Sequence, residues 1–220
     1  GISSCYNILP VGGGAYTLTR ITLAKLAPLA EDREDFLNHL LPECLEAMGN
    51  YMNERLRFLV EESGFYESSF LVREGLVDPD KFVGMFGVTG LAEGVNILFE
   101  AEGKKYGHDA QADDFAEEIM NRITAFVKDF PARYSKVTGG RFMVHAQVGL
   151  ETDIHITSGV RIPVGDEPDD FYAHLRHSAR FHKTITAGCG DIFAMETTGR
   201  KNPAAVLDVV KGAFKEGVKY

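Results

Sequence analysis

A cysteine near the amino terminus has the setting of a reactive side chain. Cys5 lies in the run Ser3-Ser4-Cys5-Tyr6-Asn7, and the following Gly12-Gly13-Gly14 indicates a mobile loop with an apolar anchor behind it. A thiol at such a tip can act as a nucleophile, with His145 or His155 as its base. Free cysteine is more commonly a small buried hydrophobic residue, so the sequence alone leaves both interpretations open.

The other cysteines and the histidines give weaker signals. Cys44 lies on the apolar face of a predicted helix, so we expect it in the core. Cys189 lies between Gly188 and Gly190, where a ligand can approach the backbone closely; a second redox thiol, a substrate contact and a small residue in a tight bend all stay open. The run His174-Leu175-Arg176-His177 predicts a solvated or substrate-anion-facing surface. It lacks a further ligand at matching spacing, so we expect no bound metal.

Composition and charge narrow the class of protein. The chain has 220 residues, of which 45% are hydrophobic and 25% charged, as is typical of a soluble globular protein. Its net charge of -9 argues against a nucleic-acid polymer or an anionic membrane surface as partner. Three scattered cysteines argue against a disulfide framework, and no apolar run is long enough to span a membrane. We therefore expect a cytoplasmic protein.

Alternating helices and strands must position these residues. Apolar side chains three and four residues apart predict helices over 35–61, 91–107, 113–136 and 169–182, and a last helix that begins at Asn202-Pro203. Shorter apolar or alternating runs predict strands over 82–88, 141–148, 183–187 and 191–195. The alternation predicts one compact α/β unit with a mainly parallel sheet or barrel, whose active site lies on loops at strand ends.

Three blocks resemble, in the same order, segments of the glycyl radical enzymes. The Cys5 loop with Thr17-Leu18-Thr19-Arg20-Ile21-Thr22-Leu23-Ala24 resembles the segment that holds the thiyl-radical cysteine. Phe86-Gly87-Val88-Thr89-Gly90-Leu91-Ala92-Glu93 resembles a strand and Gly-Leu-x-Glu turn of the anaerobic ribonucleotide reductases, and Lys183 to Glu196 resembles their late Asn-Gly-Gly-His region. Over the whole chain the likeness is to YjjI-type glycyl radical enzymes, which are related to anaerobic ribonucleotide reductase and formate acetyltransferase.

The resemblance implies a fold and a radical mechanism. It implies that the chain forms part of a ten-stranded α/β barrel with Cys5 at the tip of a central loop. A glycyl radical, installed by a separate activating enzyme that uses S-adenosylmethionine and an iron–sulfur cluster, would remove hydrogen from Cys5. The Cys5 thiyl radical would then abstract hydrogen from a small-molecule substrate. Such an organic radical survives only where oxygen and water are excluded, so we expect an anaerobic, oxygen-sensitive enzyme.

The same resemblance supplies the candidate site residues and narrows the reaction. Cys5 is the catalytic candidate. The substrate-binding candidates are Asn7, Glu93, Gly188, Cys189 and Gly190. Eliminases of the family carry a glutamate two residues after the radical cysteine, whereas Asn7 cannot accept a proton in that way. Formate acetyltransferases carry two adjacent cysteines, whereas Cys5 follows Ser4. We therefore expect neither reaction, and the enzyme type stays open among oxidoreductase, lyase and transferase.

The family's Arg-Val-x-Gly-Tyr/Phe radical motif does not occur in the sequence. On the resemblance, residues 1–220 are then a single segment, the carboxyl-terminal part of the barrel without its radical domain, and inactive alone. We expect no glycyl radical on this polypeptide, and an electron paramagnetic resonance doublet from it would contradict that. The expected partners are the activating enzyme and a small-molecule substrate, with a homodimer left open. The alternative function is a stand-alone α/β ligand-binding or cysteine-dependent hydrolase domain.

Overall fold

A parallel sheet flanked by helices organises the protein. The computed structural model describes residues 9–130, 142–146, 156–193 and 197–219. In this part of the chain the strands β1 (Ala15–Thr22), β2 (Val83–Thr89), β3 (Phe142–Ala146) and β4 (Gly188–Cys189) pair in parallel in the order β1-β2-β3-β4. The helices of the same residues are α1 (Leu23–Leu26), α2 (Arg33–Asp35), α3 (Leu41–Arg57), α4 (Phe65–Ser68), α5 (Phe70–Arg73), α6 (Leu91–Leu98), α7 (Ala110–Lys128), α8 (Phe171–His182) and α9 (Pro203–Glu216).

The helix predicted over 35–61 is present, and it has a widened turn at each end of α3. α3 is preceded by a π-helical turn at Phe36–Leu40 and followed by another at Phe58–Glu62. Pro42 has no N–H to give to the preceding turn, and the N–H of Leu41 bonds to the carbonyl of Phe36, five residues back. The helix therefore continues past the proline through one wider turn.

The two faces of the sheet have different surroundings. Side chains alternate between the faces along each strand. Phe86, Val88, Val144 and Ala146 belong to the main core, which also contains buried side chains of α3 and α7; we call this the outer face. A smaller apolar cluster lies on the opposite, inner face, and its members are Leu9, Leu18, Val83, Met85, Met143 and Ala187.

The predicted strands agree with the structure at β2 and β3 and disagree near β4. The strand predicted over 183–187 is wrong, and so is the first part of the strand predicted over 191–195, since the strand is Gly188–Cys189 between them. Residues 194–195 of that prediction lie outside the described residues. α8 runs to His182, and the N–H groups of Thr184 and Ile185 still bond to the carbonyl of Phe181, so the chain turns before it can extend. β1 was not predicted as a strand, although its β-branched residues favour one.

The triple glycine is packed, and its interpretation as a mobile loop is wrong. The N–H of Asp78 donates to the carbonyl of Gly12 at 2.7 Å, and the N–H of Val83 donates to that of Gly14 at 2.9 Å. A side chain at Gly13 would collide with the backbone of Lys81, and a Cβ at Gly14 would lie 2.7 Å from the ring of Phe82. These glycines let two chain segments approach each other at the amino-terminal edge of the sheet.

No helix in the described ranges is both long enough and apolar enough to cross a lipid bilayer.

Candidate functional site

A short segment closes the carboxyl-terminal edge of the sheet next to β2. Residues 156–162, which we call the strap, cross this edge after β3. The carbonyl of Thr157 accepts hydrogen bonds from the N–H of Gly90 at 2.7 Å and from the hydroxyl of Thr89 at 3.0 Å, and Ser158 forms an isolated antiparallel bridge with Thr89. Ligands of parallel α/β folds bind outside this edge of the sheet, so the strap lies where a site is expected.

Glu93 fixes the strap from the first turn of α6. One carboxylate oxygen, Oε1, accepts from the N–H of Thr157 at 2.8 Å and from its hydroxyl at 2.5 Å. The other oxygen, Oε2, is buried and has no hydrogen-bond partner in the described part of the chain. Glu93 therefore braces the loop at the site edge and keeps one acceptor available. Its predicted contact with substrate stays a prediction.

Arg161, on the strap, is a buried cation that the sequence did not single out. It is 2% exposed, and its Nε and Nη1 atoms have no hydrogen-bond partner among the described residues. The neighbouring carbonyl of Val160 accepts the hydroxyl of Tyr106, and the side chain of Ile162 lies against Gly107. A guanidinium stays charged inside a protein, so this position is costly unless an anion compensates it. Only burial distinguishes Arg161, and burial is not visible in the local sequence.

The histidines of α8 form a buried polar layer. Nε2 of His174 lies 3.2 Å from Oδ2 of Asp191, and Nδ1 of His177 lies 3.2 Å from Oδ2 of Asp113. Both imidazoles are buried, as is His182, so the prediction of a solvated surface is wrong. The His174 pair is also a hydrogen bond, whereas the two ring nitrogens of His177 are buried and have no hydrogen-bond partner among the described residues. Among the described residues no three metal-ligating side chains come together.

The two described cysteines are both packed inside the protein. Cys44 packs against the main core, as predicted, and its burial raises the pKa of its thiol. Cys189 is buried in the same core. Burial, and then the nearby Asp191, raise the pKa of the Cys189 thiol well above its usual range. Cys189 is therefore a neutral thiol that faces the helices, beside a cavity of about 250 Å³ between α8 and α9.

A row of polar residues and glycines crosses the inner face near the carboxyl-terminal edge. The strand register aligns Arg20 with Gly87, Gly87 with His145, and His145 with Gly188. We call these four residues the cross-strand row. Gly188 is a predicted site residue and His145 a candidate base, whereas the sequence does not single out Arg20 or Gly87.

An apolar floor lies below this row. Leu18, Met85 and Met143 stand two residues earlier on β1, β2 and β3, and they belong to the inner apolar cluster. Leu9 packs against the same cluster. The catalytic candidate Cys5, the substrate-binding candidate Asn7 and the candidate base His155 lie outside the described residues.

Comparisons with known proteins agree in sequence and in fold. The family model described as glycyl radical enzyme YjjI-like matches residues 1–220. A protein of Escherichia coli K12, named uncharacterized protein YjjI, is 41% identical over 221 residues, which are 100% of this chain and 42% of that protein. An uncharacterized protein of Haemophilus influenzae is 40% identical over 225 residues, 100% of this chain and 44% of that protein. The chain thus spans less than half the length of these relatives.

Solved structures of anaerobic ribonucleotide reductase from Thermotoga maritima have a similar fold. The structure with citrate in the active site matches with a TM-score of 0.71 and 17% identity, over 94% of this chain and 38% of that one. The complex with dATP and CTP matches with a TM-score of 0.72 and 17% identity, over 93% and 36% of the two chains. This likeness confirms the predicted fold class, part of an α/β barrel of the glycyl radical enzyme type. The match along all 220 residues shows that the chain belongs to the YjjI-like glycyl radical enzyme family.

Proposed function

We propose that Cys5 is the hydrogen-atom carrier of a radical enzyme that acts on a small-molecule substrate. A glycyl radical takes the thiol hydrogen of Cys5, which leaves a closed-shell glycine and a Cys5 thiyl radical. The thiyl radical then takes a hydrogen atom from a C–H bond of the substrate, which restores the thiol and leaves a substrate radical. The glycine belongs to a segment of the longer protein outside this sequence, and an activating enzyme with S-adenosylmethionine and an iron–sulfur cluster generates its radical.

The packing of Leu9 on the inner face carries this proposal. Leu9 contacts the apolar cluster that contains Val83 and Met85 of β2. Leu9 lies four positions after Cys5, and an extended chain of that length spans about 13 Å. The step from Met85 to Thr89 along β2 also rises about 13 Å. We therefore propose that Cys5 reaches the cross-strand row.

The inner face has the surroundings that a thiyl radical needs. The apolar floor of Leu18, Met85 and Met143 keeps water from the cluster side, and exclusion of water protects reactive intermediates from side reactions. The row above the floor offers Arg20 and His145 to orient a substrate. In this position Cys5 works as a neutral thiol, so its chemistry does not need a lowered pKa.

The remaining substrate-binding candidates are assigned smaller roles. Asn7, two residues from Cys5, would donate and accept hydrogen bonds to the substrate without acting as a base. Glu93 would hold the strap and offer its buried Oε2. Gly188 and Gly190 would let the substrate approach the backbone, together with the backbone of Cys189, because the Cys189 side chain belongs to the outer core.

Hydrogen exchange into the radical tests Cys5 without knowledge of the substrate. The full-length protein is activated by its activating enzyme, and the doublet from the glycine α-hydrogen is recorded by electron paramagnetic resonance. In D₂O the thiol carries deuterium, so reversible transfer between Cys5 and the glycine should convert the doublet to a singlet. Cys5→Ser should keep the doublet in D₂O, whereas Cys44→Ser and Cys189→Ser should exchange like the wild type.

Two results would contradict the proposal. Exchange at the wild-type rate in Cys5→Ser would show that another group transfers the hydrogen. Rapid alkylation of Cys5 at neutral pH in the non-activated protein would indicate a thiolate with a lowered pKa. That result would favour the alternative cysteine-dependent hydrolase, with His145 or His155 as its base.

A further inference from the structure

The strap and the first turn of α6 contain buried polar atoms that lack a partner among the described residues. We propose that Arg161 binds an oxyanion, either a carboxylate or a phosphate group, and that Oε2 of Glu93 accepts a hydrogen bond from a hydroxyl or ammonium group of the same ligand. The inference deepens the proposed function, on which it rests only for identifying that ligand as the substrate of Cys5. It names the substrate class as a small molecule with both an oxyanion and a hydrogen-bond donor.

Contacts on both sides of Arg161 hold it in place without using its Nε and Nη1 atoms. The carbonyl of Val160 accepts the hydroxyl of Tyr106, and Ile162 packs in the main core. Four residues earlier, the strap is fixed by the hydrogen bonds of Thr157. Nε and Nη1 of Arg161 take no part in this packing, since both lack a hydrogen-bond partner in the described part of the chain. The fold thus keeps two donors of a charged group buried and available.

A ligand of opposite charge would stabilise this arrangement. A guanidinium stays charged inside a protein, and each buried donor that is left unpaired costs stability. Attraction between charges is stronger away from bulk water, and Arg161 is 2% exposed. The planar fork of N–H donors matches the oxygens of a carboxylate or phosphate. A bound oxyanion would therefore recover stability that the unpaired Arg161 costs the protein.

Glu93 supplies the complementary group at the start of the strap. Its Oε1 accepts both the N–H and the hydroxyl of Thr157, whereas its Oε2 is buried without a hydrogen-bond partner among the described residues. Glu93 and Arg161 do not bond to each other through these atoms, since Oε2, Nε and Nη1 all lack partners. A carboxylate oxygen can only accept hydrogen bonds, so Oε2 selects a ligand group that donates one.

The course of the strap brings the two side chains to the same part of the sheet edge. The chain turns at residues 159–160, where Gly159 has a φ of 66°. Such a turn brings the residues on either side of it within about 7 Å, so Arg161 lies close to the part of the strap that Glu93 holds. Glu93, Ile156 and Ser158 are partly exposed. A ligand would therefore reach Arg161 from the Glu93 side, at the edge where parallel α/β folds bind ligands.

The opposite charges of Glu93 and Arg161 favour a two-ended ligand over a simple anion. Titration calorimetry on the non-activated full-length protein, at constant ionic strength, tests this with two pairs of probes. Propionate is compared with lactate, and methyl phosphate with glycerol 3-phosphate; the second member of each pair adds a hydroxyl donor. We expect at least one pair to bind in preference to chloride, with its hydroxyl-bearing member the tighter. The pair that binds distinguishes a carboxylate from a phosphate ligand.

Variants of the two residues test each end of the ligand. Arg161→Met should weaken binding about tenfold or more, since it removes a charge-assisted hydrogen bond. Arg161→Lys, which keeps the charge and loses the fork, should fall between the two. Glu93→Gln should remove the advantage of the hydroxyl-bearing probe. The hydrogen bonds of Thr157 would hold the amide oxygen at the Oε1 position and leave the amide NH₂ in place of Oε2.

Thermal unfolding separates lost binding from lost folding. A saturating probe should raise the unfolding temperature of the wild type and not that of Arg161→Met. Arg176→Gln, whose exposed side chain pairs with Asp170, is the matched control and should bind like the wild type.

The proposal is overturned if no probe binds in preference to chloride, or if folded Arg161→Met binds like the wild type. It is also overturned if Arg176→Gln weakens binding as much as Arg161→Met does, or if Glu93→Gln keeps the full advantage of the hydroxyl-bearing probe. The Cys5 exchange experiment does not depend on these outcomes, so either proposal can fail alone.

Discussion

The outer and inner faces of the same four strands are built from different residues. On the outer face, Phe86 packs within 6.1 Å, centroid to centroid, of the rings of Phe126, Phe130 and Phe142. On the inner face, the neighbouring Gly87 lies in a row with Arg20 and His145. Because side chains alternate along a strand, one backbone can serve both purposes. The outer face contributes stability, and the inner face carries the cross-strand row of the proposed function.

Truncation of Phe86 is the strongest test of this division. Phe86 is fully buried at the centre of the aromatic cluster, so Phe86→Ala should lower the free energy of unfolding by about 3–5 kcal/mol through lost burial and a residual cavity. Arg20→Gln, on the inner face, should change it by less than about 0.5 kcal/mol because Arg20 is exposed. Urea unfolding followed by circular dichroism measures both. Equal losses would contradict the division between the faces.

Two glycines of β2 make a matched pair for the same comparison. A Cβ at Gly84 would lie 2.6 Å from the ring of Phe142 on the outer side, whereas at Gly87 the nearest atom is the flexible end of Leu18 at 3.0 Å. Gly84→Ala should therefore cost about 1–3 kcal/mol of stability by overpacking, and Gly87→Ala clearly less. Thermal unfolding measures both effects. A larger loss of stability in Gly87→Ala than in Gly84→Ala would reverse the assignment of the faces.

The outer face could be predicted from the sequence far better than the inner one. Apolar spacing predicts α7 and α8. Asn202-Pro203 predicts the start of α9, where the side chain of Asn202 accepts a hydrogen bond from the N–H of Ala205. Local patterns record which face of a helix is apolar. They do not predict β1, in which three threonines and Arg20 lie among the apolar residues without a regular spacing. They also do not show that the histidines of α8 are buried, since the carboxylates near His174 and His177 belong to distant segments.

The cross-strand row shows why the site was harder to predict. Arg20, Gly87 and His145 are aligned by the register of strands that are about sixty residues apart in sequence. No local spacing encodes that register. Glu93 and Gly188 are candidates only through the family resemblance, and their contact with substrate stays a prediction. Arg161 has no such support, and its burial depends on packing of the strap.

Arg161 lies on the strap, which crosses the carboxyl-terminal edge of the sheet between the outer and inner faces. Its Nε and Nη1 lack partners in the described part of the chain, so Arg161→Met removes a buried charge while keeping a long side chain. We expect the free energy of unfolding to rise by about 1 kcal/mol, as when buried charges are replaced by apolar residues. Arg161→Lys keeps the charge and should bring no gain. A loss of stability in Arg161→Met, measured by urea unfolding, would show that the guanidinium is compensated.

The smallest expected effect is a pH dependence of stability that belongs to the helix layer. Burial lowers the pKa of His182, and Lys219 adds to this, whereas Asp191 opposes it. Its Nδ1 also accepts from the N–H of Lys219 at 3.4 Å, which suits the neutral ring. In the unfolded chain the pKa of histidine is about 6.5, so below that pH the unfolded state binds the proton more readily than the folded state.

The free energy of unfolding should therefore fall as the pH is lowered from 7 through the interval between the two pKa values of His182. His182→Asn keeps an acceptor near Nδ1 and cannot be protonated, so its stability should depend less on pH over that interval. At pH 8 residue 182 is uncharged in both proteins. The difference between their free energies of unfolding at that pH therefore measures packing alone. Urea unfolding at a series of pH values tests this. An unchanged slope in His182→Asn would assign the pH dependence to other groups.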